Sequence, residues 1–300
     1  MAMEYHNPVL LNETVEGLNI KPNGVYVDVT FGGGGHSREI LSRLGPEGKL
    51  IAFDQDTDAL QNAIDDPRFL LINQNFRFLK KFLRFHGYRS VDGILGDFGV
   101  SSHQFDVAER GFSTRFDADL DMRMNRDSNF SAYTVVNKYE EQQLRNVLFN
   151  YGELRNAAAM ARVIVEARKE QKIKTSEQLK SVLSRFLPGH KANKILAQIY
   201  QAIRIEVNQE LEALKEFLLQ TSEVLQPGGR ISLISYHSLE DRLVKRFIRN
   251  GLFEGEPEKD VFGRVEVPFK AVGKFIIPSQ EEIKTNNRAR SAKLRIAEKL

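Results

Sequence analysis

Three aspartates, Asp28, Asp54 and Asp97, each close an apolar run, and four successive glycines, Gly32 to Gly35, follow the first. Glycine lets a backbone approach a ligand closely, and a helix beginning there offers free N–H groups. Asp54, about 20 residues on at the end of a second apolar run, suits the paired hydroxyls of a ribose. The cluster therefore points to a cofactor with a nucleoside part. A dinucleotide fingerprint needs Gly-x-Gly-x-x-Gly, and both frames fail because Ser37 or Arg38 takes the last position. The P-loop pattern also fails, since no Gly-Lys-Ser/Thr follows the glycines.

The frame that fits is Asp28-x-Thr30-x-Gly32-x-Gly34. It resembles the acidic-then-glycine first motif of S-adenosylmethionine-dependent methyltransferases, with Thr30 in place of the first glycine. Asp97-Phe98-Gly99 spells the metal-binding tripeptide of protein kinases, but the preceding "FHGYRSVDGIL" holds no His-Arg-Asp loop. No lysine-bearing strand follows the glycines either. At a strand end beside a cofactor crevice, Asp97 suits another role, that of accepting a hydrogen bond from a substrate amine. The alternative is a side chain that only caps the following turn. The run "HSLED" (237–241) lacks both a Gly-x-Ser-x-Gly elbow and a His-Glu-x-x-His pair, so neither a hydrolase nor a metal site is expected. The chain has no cysteine, which excludes disulfides, thiolate metal ligation and a thiolate nucleophile.

The elements that must position these residues follow from periodicity. Strand-like runs at 24–31, 49–56, 68–76 and 91–99 alternate with helix-like ones, including "HSREILSRL", "TDALQNAID" and "RFLKKFLRFHGY". Such alternation predicts a mostly parallel sheet with helices on both faces, a Rossmann-like α/β domain. A polar, turn-rich stretch follows from about residue 101 to 129, too long for an ordinary connection. Four amphipathic segments then occupy 132–205, with a capping-box pattern beginning at Thr175. A helix over 208–225 and a strand over 230–238 resume the first rhythm. "GRVEV" and "KFIIPS" are short strand candidates, and a basic tail closes the chain. The domains expected are 1–104, an inserted all-helical domain over 105–205, and 206–300.

The net charge is only +3, but its distribution is uneven. Between Glu140 and Arg204 basic residues outnumber acidic ones about two to one; Arg155, Arg162, Arg168, Lys169, Lys172, Lys174, Lys191 and Lys194 are examples. The tail adds Lys284, Arg288, Arg290, Lys293, Arg295 and Lys299. Two basic clusters fit a polyanionic partner as well as they fit solvated helix faces. No apolar run approaches the roughly 20 residues of a membrane span. The opening "MAMEYHNPVLL" predicts no signal peptide, and a cytoplasmic location is expected.

Taken together, "HNPVLLNETVEGL", "DVTFGGGGHS", "DPRF", "GDFGVSSHQFD", "AERGFS", "LDMRM", "QAIRIEVNQEL", "LQPGGRISLISYHSLEDRLVKRF" and "NNRARSAKLRIAE" run almost from end to end. In that order they resemble the ribosomal RNA small subunit methyltransferase H family, the bacterial 16S rRNA cytosine-N4 methyltransferases. The departures are Gly96-Asp97-Phe98, where Leu-Asp-Leu is expected, and Asn287, where proline is expected. Gly96 should weaken strand packing.

The resemblance implies S-adenosylmethionine as methyl donor, no metal, and a cytidine of 16S rRNA, free or within the small subunit or a late assembly particle, as acceptor. Neither DNA nor a membrane is implied. It assigns cofactor contacts to Gly34, Gly35, His36, Asp54, Phe76, Asp97 and Gln104, and the catalytic role to Asp97. Phe76 suits the adenine face or plain core packing. The missing cysteine favours nitrogen over carbon as the methylated atom, because C5 methylation of cytosine normally needs a thiolate. The run "SYHS" (235–238) at the fifth strand end is a candidate second wall of the pocket beside Asp97, and within it His237 is a candidate polar contact or a structural histidine. Arg288, Arg290 and Lys293 are candidate phosphate contacts. Rival readings are a methyltransferase for a small amine or protein, and a non-catalytic RNA-binding protein that keeps the cofactor fold.

Overall fold

The computed structural model describes residues 8–258, 262 and 265–300. In chain order the strands are β1 (Val25–Asp28), β2 (Lys49–Phe53), β3 (Phe69–Ile72), β4 (Val91–Asp97), β5 (Leu225–Ser235), β6 (Phe269–Ala271) and β7 (Lys293–Lys299). The helices are α1 (Leu11–Gly17), α2 (Gly35–Arg43), α3 (Leu79–Phe85), α4 (Ser102–Asp106), α5 (Ala132–Lys138), α6 (Glu141–Asn150), α7 (Ala157–Glu170), α8 (Ser176–Val182), α9 (Ala192–Asn208), α10 (Glu210–Val224), α11 (Ser238–Asn250) and α12 (Gln280–Thr285). The chain divides into two compact units, Met1–Gly99 with Leu211–Leu300, and Val100–Glu210.

The first unit holds one seven-stranded sheet in the order β3-β2-β1-β4-β5-β7-β6. β1 to β5 are parallel; β7 runs antiparallel to β5, and β6 antiparallel to β7. The parallel strands are covered on both faces, which is why they read as unbroken apolar runs such as Leu50–Phe53. The chain runs outward in one direction through β2 and β3, then returns to start again at β4. The ends of β1 and β4 therefore flank the crevice where open α/β sheets bind ligands. Asp28 stands in register with Ala52 and Leu95, and Asp97 with Ile234.

The structure corrects the expectation for Gly96. A Cβ there would fall 2.9 Å from the ring of Phe98 and 3.2 Å from Leu233. Phe98 is buried, and its ring fills the space that a side chain at position 96 would need. The two departures from Leu-Asp-Leu are thus one exchange of volume, and the packing of β4 is kept.

Other expectations shift in type or extent. Residues 57–62 form a 3₁₀ turn rather than an α-helix, capped by the Asp56 carboxylate. The segment is short and its Leu60 is exposed, so little apolar burial supports a longer helix. β5 begins at Leu225, before Pro227-Gly228-Gly229, and a register irregularity against β4 absorbs the extra residues. The basic tail is not a tail over 293–299 but strand β7. Its charges concealed it: Leu294 and Ala297 are buried, while Arg295 pairs with Asp241 at 2.7 Å and Glu298 with Arg230 at 2.9 Å. "KFIIPS" forms only an isolated bridge, Ile276 to Leu294. "GRVEV" lies partly outside the described residues.

The second unit is helical, with its own core of Leu144, Val147, Met160, Ile164, Ile199 and Ile203 among others. The turn-rich stretch that precedes its helices is pinned rather than loose. Buried Arg110 donates to the carbonyls of Arg123 and Met124, and Asn208 holds Met122 and Met124 by their backbones. The capping box expected at Thr175 is present, with Gln178 as its partner. Arg168, one of the basic residues of this region, is turned to the fold's own backbone. Its guanidinium donates to Val136 O at 2.7 Å and Tyr139 O at 2.5 Å, where α5 ends and its carbonyls lack helical partners.

Candidate active site

The glycine turn is built on Asp28. Its Oδ1 accepts from Thr30 N at 3.1 Å and its Oδ2 from Ser37 Oγ at 2.7 Å, so one carboxylate ties the strand end to the first turn of α2. Asp28 is almost wholly buried and burial pushes its carboxyl up to about 6. It is a support for the turn, with no surface left for a ligand. Gly34 caps α2 at φ 75°, in the left-handed region, and a Cβ there would meet the Phe31 ring at 2.9 Å. The N–H groups of the first turn of α2 therefore begin at bare backbone, as a close ligand requires.

Asp54 crosses to the same turn. Its Oδ2 accepts from Gly32 N at 2.8 Å and its Oδ1 from Asp56 N at 2.8 Å. Burial again raises its carboxyl to about 6. It stays partly accessible, and each oxygen keeps a lone pair free for a hydroxyl donor. Phe76 starts a 3₁₀ turn after β3 and is partly buried. Its ring meets Phe98 at 5.7 Å and Phe217 edge-on at 5.4 Å, so core packing is part of its role.

Asp97 is held by two hydrogen bonds. Its backbone N–H donates to Thr30 Oγ1 at 2.6 Å, which explains a hydroxyl where the motif has glycine. Its Oδ1 accepts from Tyr236 OH at 2.8 Å. Its Oδ2 lies 4.0 Å from His36 Nδ1. Burial raises the Asp97 carboxyl to about 7; Tyr236 opposes the rise, and the charges of Asp28 and Glu240 add to it. Yet 23% of the side chain is accessible, enough for a substrate atom to reach it.

His36 is neutral at pH 7, because burial lowers its ring to about 4. Its Nε2 lies 3.1 Å from Val9 O; a carbonyl only accepts, so Nε2 holds the proton. Nδ1 is then unprotonated and lies 4.0 Å from Asp97 Oδ2, beyond hydrogen-bond reach.

The run "SYHS" was expected to wall the pocket, but neither Tyr236 within it nor Glu240 was given a role of its own. Glu240, 2% exposed, accepts from Tyr236 N at 2.9 Å and so orients the residue whose hydroxyl reaches Asp97. The spacing His237-x-x-Glu240 at a helix start was the available signal, since it forms a capping box. His237 belongs to that cap. Its Nδ1 lies 3.5 Å from Glu240 N and its Nε2 3.1 Å from Glu240 Oε1.

Arg288 and Arg290 flank buried Ala289, which packs in a small cluster with Val9, Leu10 and Ile234, beside Tyr236. Lys293 pairs with Asp241 at 3.3 Å. Gln104 lies in the second unit, where its side chain closes a capping box with Ser101.

The sheet order, the glycine turn at the end of β1 and the acids ending β1, β2 and β4 define a Rossmann-like, S-adenosylmethionine-dependent methyltransferase. Residues 3–300 match the model of the MraW methylase family, and the chain belongs to that family. It is 71% identical to the ribosomal RNA small subunit methyltransferase H of Flavobacterium johnsoniae, across 100% of this chain and 99% of that one. It is 58% identical to the protein of the same name from Cytophaga hutchinsonii, across 98% and 99%. Among solved structures, an rRNA methylase from Streptococcus thermophilus aligns over 100% of this chain and 99% of that one. That match has 12% identity and a TM-score of 0.44, too distant to bear on the site.

Proposed function

We propose that this protein methylates the N4 amine of a cytidine in the decoding region of 16S rRNA. The observation that carries the reading is Asp97: an accessible carboxyl at the end of β4, oriented by Thr30 and Tyr236 and raised by burial to about 7. The backbone at Gly34, Gly35 and His36, with Asp54 and Phe76, would hold the cofactor's nucleoside and amino-acid parts; Gln104, in the helical unit, is the remaining contact that the family resemblance assigns. S-adenosylmethionine supplies an electrophilic sulfonium methyl group when bound. Asp97 accepts a hydrogen bond from the exocyclic amine, which turns the nitrogen lone pair toward that methyl group. As the nitrogen gains a fourth bond its N–H protons acidify, and Asp97 takes one. An amine needs no covalent intermediate, consistent with a chain without cysteine.

The partner in this reading is 16S rRNA, alone or within the small subunit or an assembly particle, in the cytoplasm. The basic helical unit and the turn with Arg288 and Arg290 hold flanking phosphates, which position the RNA without reading its sequence. Among the described residues no helix is long and apolar enough to cross a membrane. The test is nucleoside analysis of 16S rRNA from cells with and without the gene. Loss of N4-methylcytidine on deletion, restored by wild-type protein and not by Asp97→Asn, is expected. An unchanged nucleoside profile would overturn the proposal.

A further inference from the structure

We infer that a basic cleft beside β7 in the first unit binds a single-stranded stretch of the substrate RNA, one base against Phe275 and its phosphates on the surrounding cations. The inference rests on the RNA-methyltransferase reading above.

The cleft has a volume of about 360 Å³ and is enclosed by α11, β6, β7 and the turn at 273–275. Lys245, Arg249, Lys274 and Arg295 line it, and among the described residues no carboxylate does. Lys245, Arg249 and Lys274 are exposed and have no ion-pair partner among the described residues. Arg295 is fixed by Asp241 at 2.7 Å, so its guanidinium is held in place before any ligand arrives. Ile248 and Phe269 supply an apolar floor.

Phe275 is the informative residue. It is 49% exposed, with the Arg295 guanidinium 5.3 Å and the Lys293 ammonium 5.8 Å from its ring centroid. An exposed ring set among cations over an apolar floor offers a base a stacking surface and its backbone a set of charges. A membrane surface would use the charges but not a recessed floor, and an acidic peptide would leave the ring without a purpose.

The register places the cleft near the site. Arg295 stands opposite Leu233 on β5, and Leu233 opposite Gly96 on β4. Two strand spacings, about 10 Å of sheet, therefore separate Arg295 from the strand end that carries Asp97. An RNA strand with its target base at Asp97 reaches the cleft along one edge of the same sheet.

The experiment uses the full chain with S-adenosylmethionine, a fluorescent single-stranded RNA oligonucleotide for binding, and small ribosomal particles for kinetics. Phe275→Ala is expected to weaken RNA binding about tenfold and raise KM for the particle, with kcat and cofactor affinity unchanged. Phe275→Tyr should restore both. Lys245→Ala and Arg249→Ala should each lower the slope of log affinity against log salt by about 0.7. RNA affinity and KM at wild-type values in Phe275→Ala would overturn the cleft while leaving the activity intact. Equal, Phe275-dependent binding of an acidic peptide or anionic vesicles would also overturn it. A wild-type protein that transfers no methyl group to any small-subunit particle would instead overturn the function on which the inference rests.

Discussion

Tyr236, at the end of β5, reaches across to the end of β4 and donates its hydroxyl to Asp97 Oδ1 over 2.8 Å. Burial holds the tyrosine's own pKa well above 10, so it remains a donor throughout the working range. Its hydrogen bond is the main influence that keeps Asp97 from rising still further. In the proposed reaction this pair sets the acid limb.

Activity that needs ionised Asp97 rises with pH through about 7. Tyr236→Phe removes the stabilising donor, so the Asp97 pKa moves upward and the limb moves with it. A hydrogen bond to a charged group contributes about 1.5–3 kcal/mol, which corresponds to a shift of about one to two pH units. The pH dependence of kcat/KM for particle methylation measures it. A limb at the wild-type position would show that Asp97 is not the titrating group.

Asp97→Asn retains an oxygen acceptor but cannot take a proton. Under single-turnover conditions the methyl-transfer rate should fall by about a hundredfold or more. Cofactor affinity, read by calorimetry, should change far less. If the rate fell by less than about tenfold, Asp97 would be an orienting group alone.

Asp28 makes stability depend on pH. Its folded pKa, about 6, is raised above the usual carboxylate value of 3.8. The folded state then binds more protons than the unfolded one between these values. Stability from this group is full below 3.8 and is lost as pH rises through 6. Asp28→Asn removes one group's contribution, about 1.4 kcal/mol per pH unit at most, from the slope of unfolding free energy between about pH 4 and 6. Urea titrations across that window compare the two slopes.

Gly96 and Phe98 should behave as a coupled pair. Gly96→Leu alone drives a side chain into the Phe98 ring and should cost about 1–3 kcal/mol. Phe98→Leu alone leaves a cavity and should cost about 1–2 kcal/mol. The double variant, Leu-Asp-Leu, should be more stable than the sum of the two by about 1 kcal/mol or more. Additive losses in a chemical-denaturation cycle would show that the two side chains do not compete for one space.

Much of the crevice was legible in the sequence because its signals are local. Asp28, Gly32 to Gly35, Asp54 and Asp97 fall at the ends of apolar runs, and a parallel sheet brings such ends together. The strand end that carries Tyr236 was expected at the pocket, but its hydrogen bond to Asp97 was not, because the two residues are 139 apart and no periodicity marks such a pair. His237 drew attention by its chemistry, yet it is spent on a helix cap. β7 was hidden for another reason. Alternation of apolar and polar residues is broken in Lys293–Lys299, and its charges are taken up by Asp241 and Arg230 rather than by solvent. Arg168 looked like a surface cation and is consumed by backbone carbonyls. Charge in a sequence does not say whether a partner already sits inside the fold.

The discontinuous first unit also has a consequence for the order of events during synthesis. β4 pairs with β5, but the whole helical unit, about 110 residues, is translated between them. With α10 included, residues 98–224 separate β4 from β5, so at roughly 5–20 residues per second one edge of β4 waits some 6–25 s for its neighbour. An unpaired strand edge of that kind invites the wrong partner. The helical unit has a hydrophobic core of its own, around which it can fold meanwhile. The insertion thus sits at the strand whose end carries Asp97, and the β4–β5 edge is the last part of the parallel sheet to be completed.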